Sequence, residues 1–99
     1  QRASQDFVQQ EKIWLADALA AIPGLTVFPP TVNFLLLRLA EPWPAAEEVC
    51  AAMRQRGILL RDCSNYPGLD HRYIRAAVRP REENRRLIEA FQACCPFEA

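Results

Sequence analysis

Two arginines separated by a turn-rich loop are the residues of this chain best suited to chemistry. Arg61 ends the apolar run Ile58-Leu59-Leu60, and Arg75 lies inside the run Tyr73-Ile74-Arg75-Ala76-Ala77-Val78-Arg79. A guanidinium does not shed its charge, because its pKa lies above about 12. In an apolar run it therefore needs an anion, and its planar fork fits a carboxylate or a phosphate. Asp62-Cys63-Ser64-Asn65-Tyr66-Pro67-Gly68-Leu69-Asp70 separates the two, and most of its residues favour turns. Two such arginines flanking one loop describe half of a site that grips a doubly anionic small molecule.

Plainer readings stand beside this one. Strand side chains alternate faces, so Ile74, Ala76 and Val78 should pack on helices while Tyr73, Arg75, Ala77 and Arg79 share the other face. The small Ala77 beside Arg75 leaves room for something to dock. On strand logic alone, Arg75 reads as a solvated or salt-bridged residue, and Arg61 as the partner of Asp62 or Asp70. Asp62, Ser64 and Asn65 read as loop formers, Cys63 as a small packed residue, and His71, the only histidine, as exposed. No Ser-His-Asp order, glycine-rich phosphate loop or metal-ligand spacing occurs, and three glycines do not make a dinucleotide site. Cys50, Cys63, Cys94 and Cys95 lack a C-x-x-C spacing and read as reduced thiols of a cytosolic protein.

The elements that must position the arginines follow from periodicity. Phe7, Trp14, Leu15, Ala18, Leu19 and Ile22 recur at helical spacing, and Pro23-Gly24 stops that helix. Residues 25–28 form a short strand, which Pro29-Pro30 interrupts. Residues 33–39 form a second strand, apolar on both faces and so expected to be central and covered on both sides. Glu41-Pro42-Trp43-Pro44 turns into a helix with Pro44 in its first turn and a buried stripe of Ala46, Val49, Cys50 and Met53. Gly57 fits just past its end. Residues 58–61 are the third strand, 62–72 a loop and 73–79 the fourth strand. Pro80 opens a last helix with Glu82 and Glu83 at its positive end and Leu87, Ile88 and Phe91 facing inward. The order is α-β-β-α-β-β-α, an α+β fold with a small sheet layered against helices.

The chain has 99 residues, enough for one small domain, with 51% hydrophobic and 24% charged residues, the balance of a folded globular chain. No apolar run approaches the roughly 20 residues of a membrane span, and the first residues lack a signal peptide's basic and apolar regions. A formal net charge of zero supplies no global field for nucleic acid or membranes. The chain opens at Gln1, already in a helical pattern, which reads as a piece of a longer protein.

The run from Gly57 to Tyr66, then Tyr73 to Arg79, then Glu82-Glu83-Asn84 and Leu87, closely resembles the end of the threonine-phosphate decarboxylase and histidinol-phosphate aminotransferase family. Pro23-Gly24-Leu25 and Asn33-Phe34-Leu35-Leu36 match the same group, so the resemblance covers nearly the whole chain in order. The wording Asp62-Cys63-Ser64-Asn65-Tyr66 is similar to the decarboxylase branch. The resemblance implies that residues 1–99 are the C-terminal, two-layer small domain of a fold-type-I enzyme dependent on pyridoxal 5'-phosphate. The large cofactor-binding domain is absent from this chain. Arg75 would then hold the α-carboxylate of a small phosphorylated amino-acid substrate, and Arg61 would help bind its phosphate end. No catalytic, cofactor-binding or metal-binding residue is expected in this segment, and Lys12 does not match the family's Schiff-base motif. The parent enzyme would be a cytoplasmic homodimer that decarboxylates L-threonine O-3-phosphate in cobalamin biosynthesis, and this piece alone would be inactive. The alternative within the family is an aminotransferase such as histidinol-phosphate aminotransferase. Outside it, the alternative is a free-standing module that binds a small anion without chemistry.

Overall fold

Seven elements follow one another in the computed structural model, which describes residues 2–29 and 34–97. They are α1 (Arg2–Ala20), β1 (Leu25–Val27), β2 (Phe34–Leu39), α2 (Ala46–Gln55), β3 (Arg61–Asp62), β4 (Tyr73–Ala77) and α3 (Arg81–Cys94). The order is the one the periodicity predicts. The strands form one antiparallel sheet in the order β1-β2-β4-β3, so β2 is central, as expected. Its register sets Leu35 against Ala76 and Leu37 against Ile74, while Leu39 meets Leu25 of β1. All six side chains are buried. They point one way and meet Leu15 and Leu19 of α1, Val49 and Met53 of α2, and Leu87, Ile88 and Phe91 of α3.

The far face of the sheet differs from expectation. The apolar run at Phe34 to Leu37 predicts cover on both sides, yet the three helices pack on one. Phe34 and Leu36 are half-buried and Arg38 is exposed. The helices alternate with strand pairs and all return to the same layer, so the second face is bare among the described residues.

Both later strands are shorter than the apolar runs that announce them. Gly57 N–H donates to Arg54 O and Ile58 N–H to Met53 O, each at 2.9 Å. The chain is thus still tied to the end of α2 and reaches the ladder only at Arg61. Leu59 is left 80% exposed. At the other end β4 stops at Ala77, opposite the first described residue of β2. Arg79 N–H is then captured by Asn84 Oδ1 at 3.0 Å. β1 ends at Val27, although Phe28 N–H still donates to Leu36 O at 3.0 Å. Helix α2 starts two residues after Pro44, and α3 starts directly after Pro80. Pro30 and Asn33 lie outside the described residues.

Two features lock the layers. Trp43 is 1% exposed, its indole N–H donates to Pro23 O at 2.8 Å, and its ring meets Phe91 edge-on at 5.7 Å. Gly24 sits under that indole at φ +83°, where a Cβ would come within 2.6 Å of Trp43 Cδ1, so only glycine fits. The second lock is polar. Glu11 of α1 is 2% exposed and accepts from Arg81 Nε at 2.9 Å and Asn84 Nδ2 at 3.0 Å. Arg81 Nη2 lies 2.7 Å from the same carboxylate, and its guanidinium sits 3.8 Å from the Trp14 ring centroid. A buried carboxylate needs such partners. The hydrogen bond from Arg81, with that from Asn84, outweighs burial and holds the Glu11 carboxyl below its usual range.

A carboxyl depressed in the folded state contributes stability above its ordinary pKa and loses it as pH falls through the folded value. Urea midpoints of this chain should therefore fall on acidification in the acid range. In Glu11→Gln, which starts from a lower midpoint, that acid-range loss should shrink. Parallel pH profiles for the two proteins would contradict the role given to the carboxylate.

Candidate functional site

The register of β3 on β4 sets Arg61 directly opposite Arg75. Cys63 N–H donates to Tyr73 O at 3.1 Å, which makes 63–73 and, two residues on, 61–75 the hydrogen-bonded type of antiparallel pair. Such a pair has Cα atoms about 5.5 Å apart and side chains on one face. Ile74 beside them points into the helix layer, so both guanidinium groups leave from the bare face.

Like charges directly opposite on a sheet repel, and acidic neighbours do not offset that repulsion here. Ion pairs join other arginines to acids, Arg72 to Glu41, Arg79 to Glu83 and Arg81 to Glu11. The two acids expected as partners of Arg61 are committed elsewhere. Asp62 Oδ1 accepts from Ser64 N–H at 2.9 Å and from the Ser64 hydroxyl. Asp70 Oδ1 accepts from Arg72 N–H at 2.9 Å. The plainer salt-bridged reading therefore does not describe Arg61 or Arg75 among the described residues.

Arg61 is exposed and Arg75 half-buried. The Arg75 guanidinium carbon lies 4.5 Å from the Phe34 ring centroid and 5.7 Å from that of Tyr66. Both arginines open into a depression of about 520 Å³, lined also by Phe34, Leu59, Leu60, Asp62 and Ala77. Ala77 keeps the floor low, as its small side chain predicts. A neighbouring hollow of about 400 Å³ runs between residues 57–60 and the end of β4. Of its charged lining residues, Arg79 and Glu83 neutralise each other at 3.0 Å, which leaves Arg86 as a single cation there.

The other singled-out residues fall as follows. Cys63 is buried, and burial, ahead of the opposing field of Arg75, pushes its thiol up; a protonated thiol is a poor nucleophile. Burial also raises the Cys50 thiol. Asn65 and His71 are exposed. His71 contributes only its carbonyl, which accepts from Ala46 N–H at 2.7 Å. No group of three or more His, Cys, Asp or Glu among the described residues could hold a metal ion, and no described helix is long and apolar enough to cross a membrane. Pyridoxal phosphate, which the resemblance implies, needs a lysine anchor. Lys12 is the only lysine and stands on α1, in the layer behind the sheet, so this chain's residues do not fit that task.

Phe34 and Tyr66 are the site residues that sequence reasoning missed. Phe34 reads as one more apolar residue of a strand, and Tyr66 as part of a loop. Only the pairing of β2, β4 and β3 reveals that both reach Arg75.

No protein-family model matches the chain. It is 38% identical over 94 residues to threonine-phosphate decarboxylase of Salmonella typhimurium, covering 93% of this chain and 24% of that protein. It is 32% identical over 89 residues to histidinol-phosphate aminotransferase of Methanococcus aeolicus, covering 90% of this chain and 24% of that protein. Among solved structures, L-threonine-O-3-phosphate decarboxylase of Porphyromonas gingivalis superposes with a TM-score of 0.82 at 30% identity, covering 89% of this chain and 27% of that one. The chain thus spans about a quarter of the length of the curated relatives it matches. It is a homologue of one segment of the threonine-phosphate decarboxylases and histidinol-phosphate aminotransferases, and shares that segment's α+β small-domain fold.

The uncompensated pair has a consequence for stability. Arg61→Gln removes one of two opposed like charges, so without an added anion it should leave the urea midpoint of this chain unchanged or raised, within about 0.5 kcal/mol. A loss above about 1 kcal/mol would give Arg61 an internal structural partner instead.

Proposed function

We propose that this chain is the C-terminal, substrate-binding small domain of a pyridoxal-phosphate-dependent enzyme that acts on a phosphorylated amino acid. L-Threonine O-3-phosphate is the first candidate substrate and loss of CO₂ the first candidate reaction. The observation that carries this reading is the cross-strand placement of Arg61 and Arg75 on one face of the sheet, with no acid among the described residues paired to either. Two cations held side by side against repulsion are suited to a ligand with two anionic ends. The decarboxylase names among the relatives and the wording of residues 62–66 favour this branch over transamination. The remaining three quarters of the parent protein would carry the cofactor. We place that parent in the cytoplasm as a homodimer, on the resemblance alone.

When bound, pyridoxal phosphate supplies an electron sink for a bond breaking at the substrate Cα. The residues of this chain would set which bond that is. The fork of Arg75 donates to both carboxylate oxygens and so, with the phosphate end also held, fixes rotation about the substrate's Cα–N bond and the direction in which the carboxylate points. Arg61 holds the phosphate end, and two attachment points suppress tumbling. Phe34 and Leu60 give the depression apolar walls, which strengthen both ion pairs by excluding water. An ion pair to a departing carboxylate stabilises the substrate more than a product without that charge. Arg75 would therefore act through geometry rather than through tightness of binding.

The second reading, transamination, rests on relatives named histidinol-phosphate aminotransferase. Both readings use the same two arginines. In the full-length protein, Arg75→Ala should lower kcat/KM for CO₂ release from threonine phosphate by about 30- to 1000-fold, or roughly 2–4 kcal/mol. A change below about threefold would remove Arg75 from the carboxylate site. Amino-group transfer to a keto acid with no CO₂ release would select the aminotransferase reading.

A further inference from the structure

We infer that Phe34 and Tyr66 form an aromatic bracket that fixes the plane of the Arg75 guanidinium, with Tyr66 a positioning residue of the carboxylate site. The inference rests on the reading of Arg75 as the carboxylate ligand.

A guanidinium is flat, with donors around its edge and two faces that make no hydrogen bonds. Aromatic rings attract the cation through their electron-rich faces without using those donors. Around Arg75 the rings come from opposite sides of β4. Phe34 belongs to β2, on one side, and its Cα partner on β4 is Ala77, two residues from Arg75. Tyr66 belongs to the loop that follows β3, on the other side. No described residue forms an ion pair with Arg75 or accepts a hydrogen bond from its side chain. The rings are therefore what orients this half-buried side chain, and they leave its edge donors to a ligand.

The loop is built to hold Tyr66 in place. Asp62 Oδ1 accepts from Ser64 N–H at 2.9 Å, an Asx turn that bends the chain directly after β3. Tyr66 N–H donates to Cys63 O at 3.0 Å, and Tyr66 O accepts from Leu69 N–H at 3.1 Å. Turns thus fasten the residue on both sides. The Tyr66 hydroxyl makes no hydrogen bond among the described residues, so its ring, rather than its oxygen, is the working part.

A planar fork with its rotation unset can still meet a carboxylate, but in many poses. Only a few of those poses give the productive Cα torsion. Losing the bracket should therefore depress kcat more than it raises KM. A lysine at position 75 is a point charge without a plane, so the bracket should mean little to it.

The test uses the full-length enzyme with bound cofactor and threonine phosphate, or L-glutamate if that enzyme transaminates. Tyr66→Phe should stay within about twofold of wild type. Tyr66→Leu should lower kcat at least about tenfold, with KM within about threefold and an unchanged thermal midpoint. In the Arg75→Lys background, Tyr66→Leu should add less than about twofold, the signature of two residues acting as one unit. A Tyr66→Phe loss equal to that of Tyr66→Leu would overturn the inference, by giving the role to the hydroxyl. So would a Tyr66→Leu kcat within about threefold of wild type, or an equal loss in the Arg75→Lys background. Arg75→Ala, run alongside, separates the two failures. If it is harmless, the carboxylate reading itself falls and the bracket with it; if it is damaging while Tyr66→Leu is not, only the bracket falls.

Discussion

Two guanidinium groups facing the same way from adjacent strands are the constraint around which this small domain is arranged. Their opposition follows from a single register, Arg61 on Arg75. A shift of one residue would send Arg61 to the helix face, where it would meet a packed apolar layer. Asp62 adjoins Arg61 and Asp70 follows nine residues later, yet each carboxylate accepts its hydrogen bonds from within the loop. Asp62 shapes its own turn, and Asp70 holds Arg72 N–H. The loop thus gains its geometry from the carboxylates that would otherwise quench the site.

The rest of the fold keeps that face bare and still. Three helices stack on one side of the sheet and bury Leu35, Leu37, Leu39, Ile74 and Ala76 there. The first and last helices are fastened to each other by the Glu11, Arg81 and Asn84 cluster, and the turn after α1 is fastened to the segment before α2 by Trp43 against Gly24 and Pro23. With the scaffold closed behind it, the other face can carry half-buried side chains: Phe34, Leu36, Tyr73 and Arg75. Phe28 and Tyr73 stack at 6.1 Å on this face. A surface mixing aromatic rings with unquenched arginines fits a site completed by another part of a larger protein.

Much of this was legible in the sequence because it rests on local rules. Apolar periodicity gave the order of elements, and the parity of Ile74 and Ala76 gave the buried face of β4. Gly57 marked the end of α2, whereas α1 ends at Ala20, ahead of the stop expected at Pro23-Gly24. Properties that depend on pairing were not legible. The run from Ile58 to Arg61 looks like a full strand, and only the backbone tie of Ile58 to Met53 shows why its first three residues stay off the ladder. Phe34 to Leu37 looks doubly buried because a half-covered apolar strand and a fully covered one share a composition. Glu11 carries no local mark of its burial, because its partners lie at least 70 positions away. Phe34 and Tyr66 carry no local mark of their nearness to Arg75, since that follows from strand order.

The most direct measurement is a crystal structure of the full-length protein with threonine phosphate bound. The substrate carboxylate should sit on the edge of the Arg75 guanidinium, between the planes of Phe34 and Tyr66, with the phosphate on Arg61. A ligand whose two anionic groups both rest on residues outside this chain, with Arg61 and Arg75 turned to solvent, would contradict the shared role of the pair.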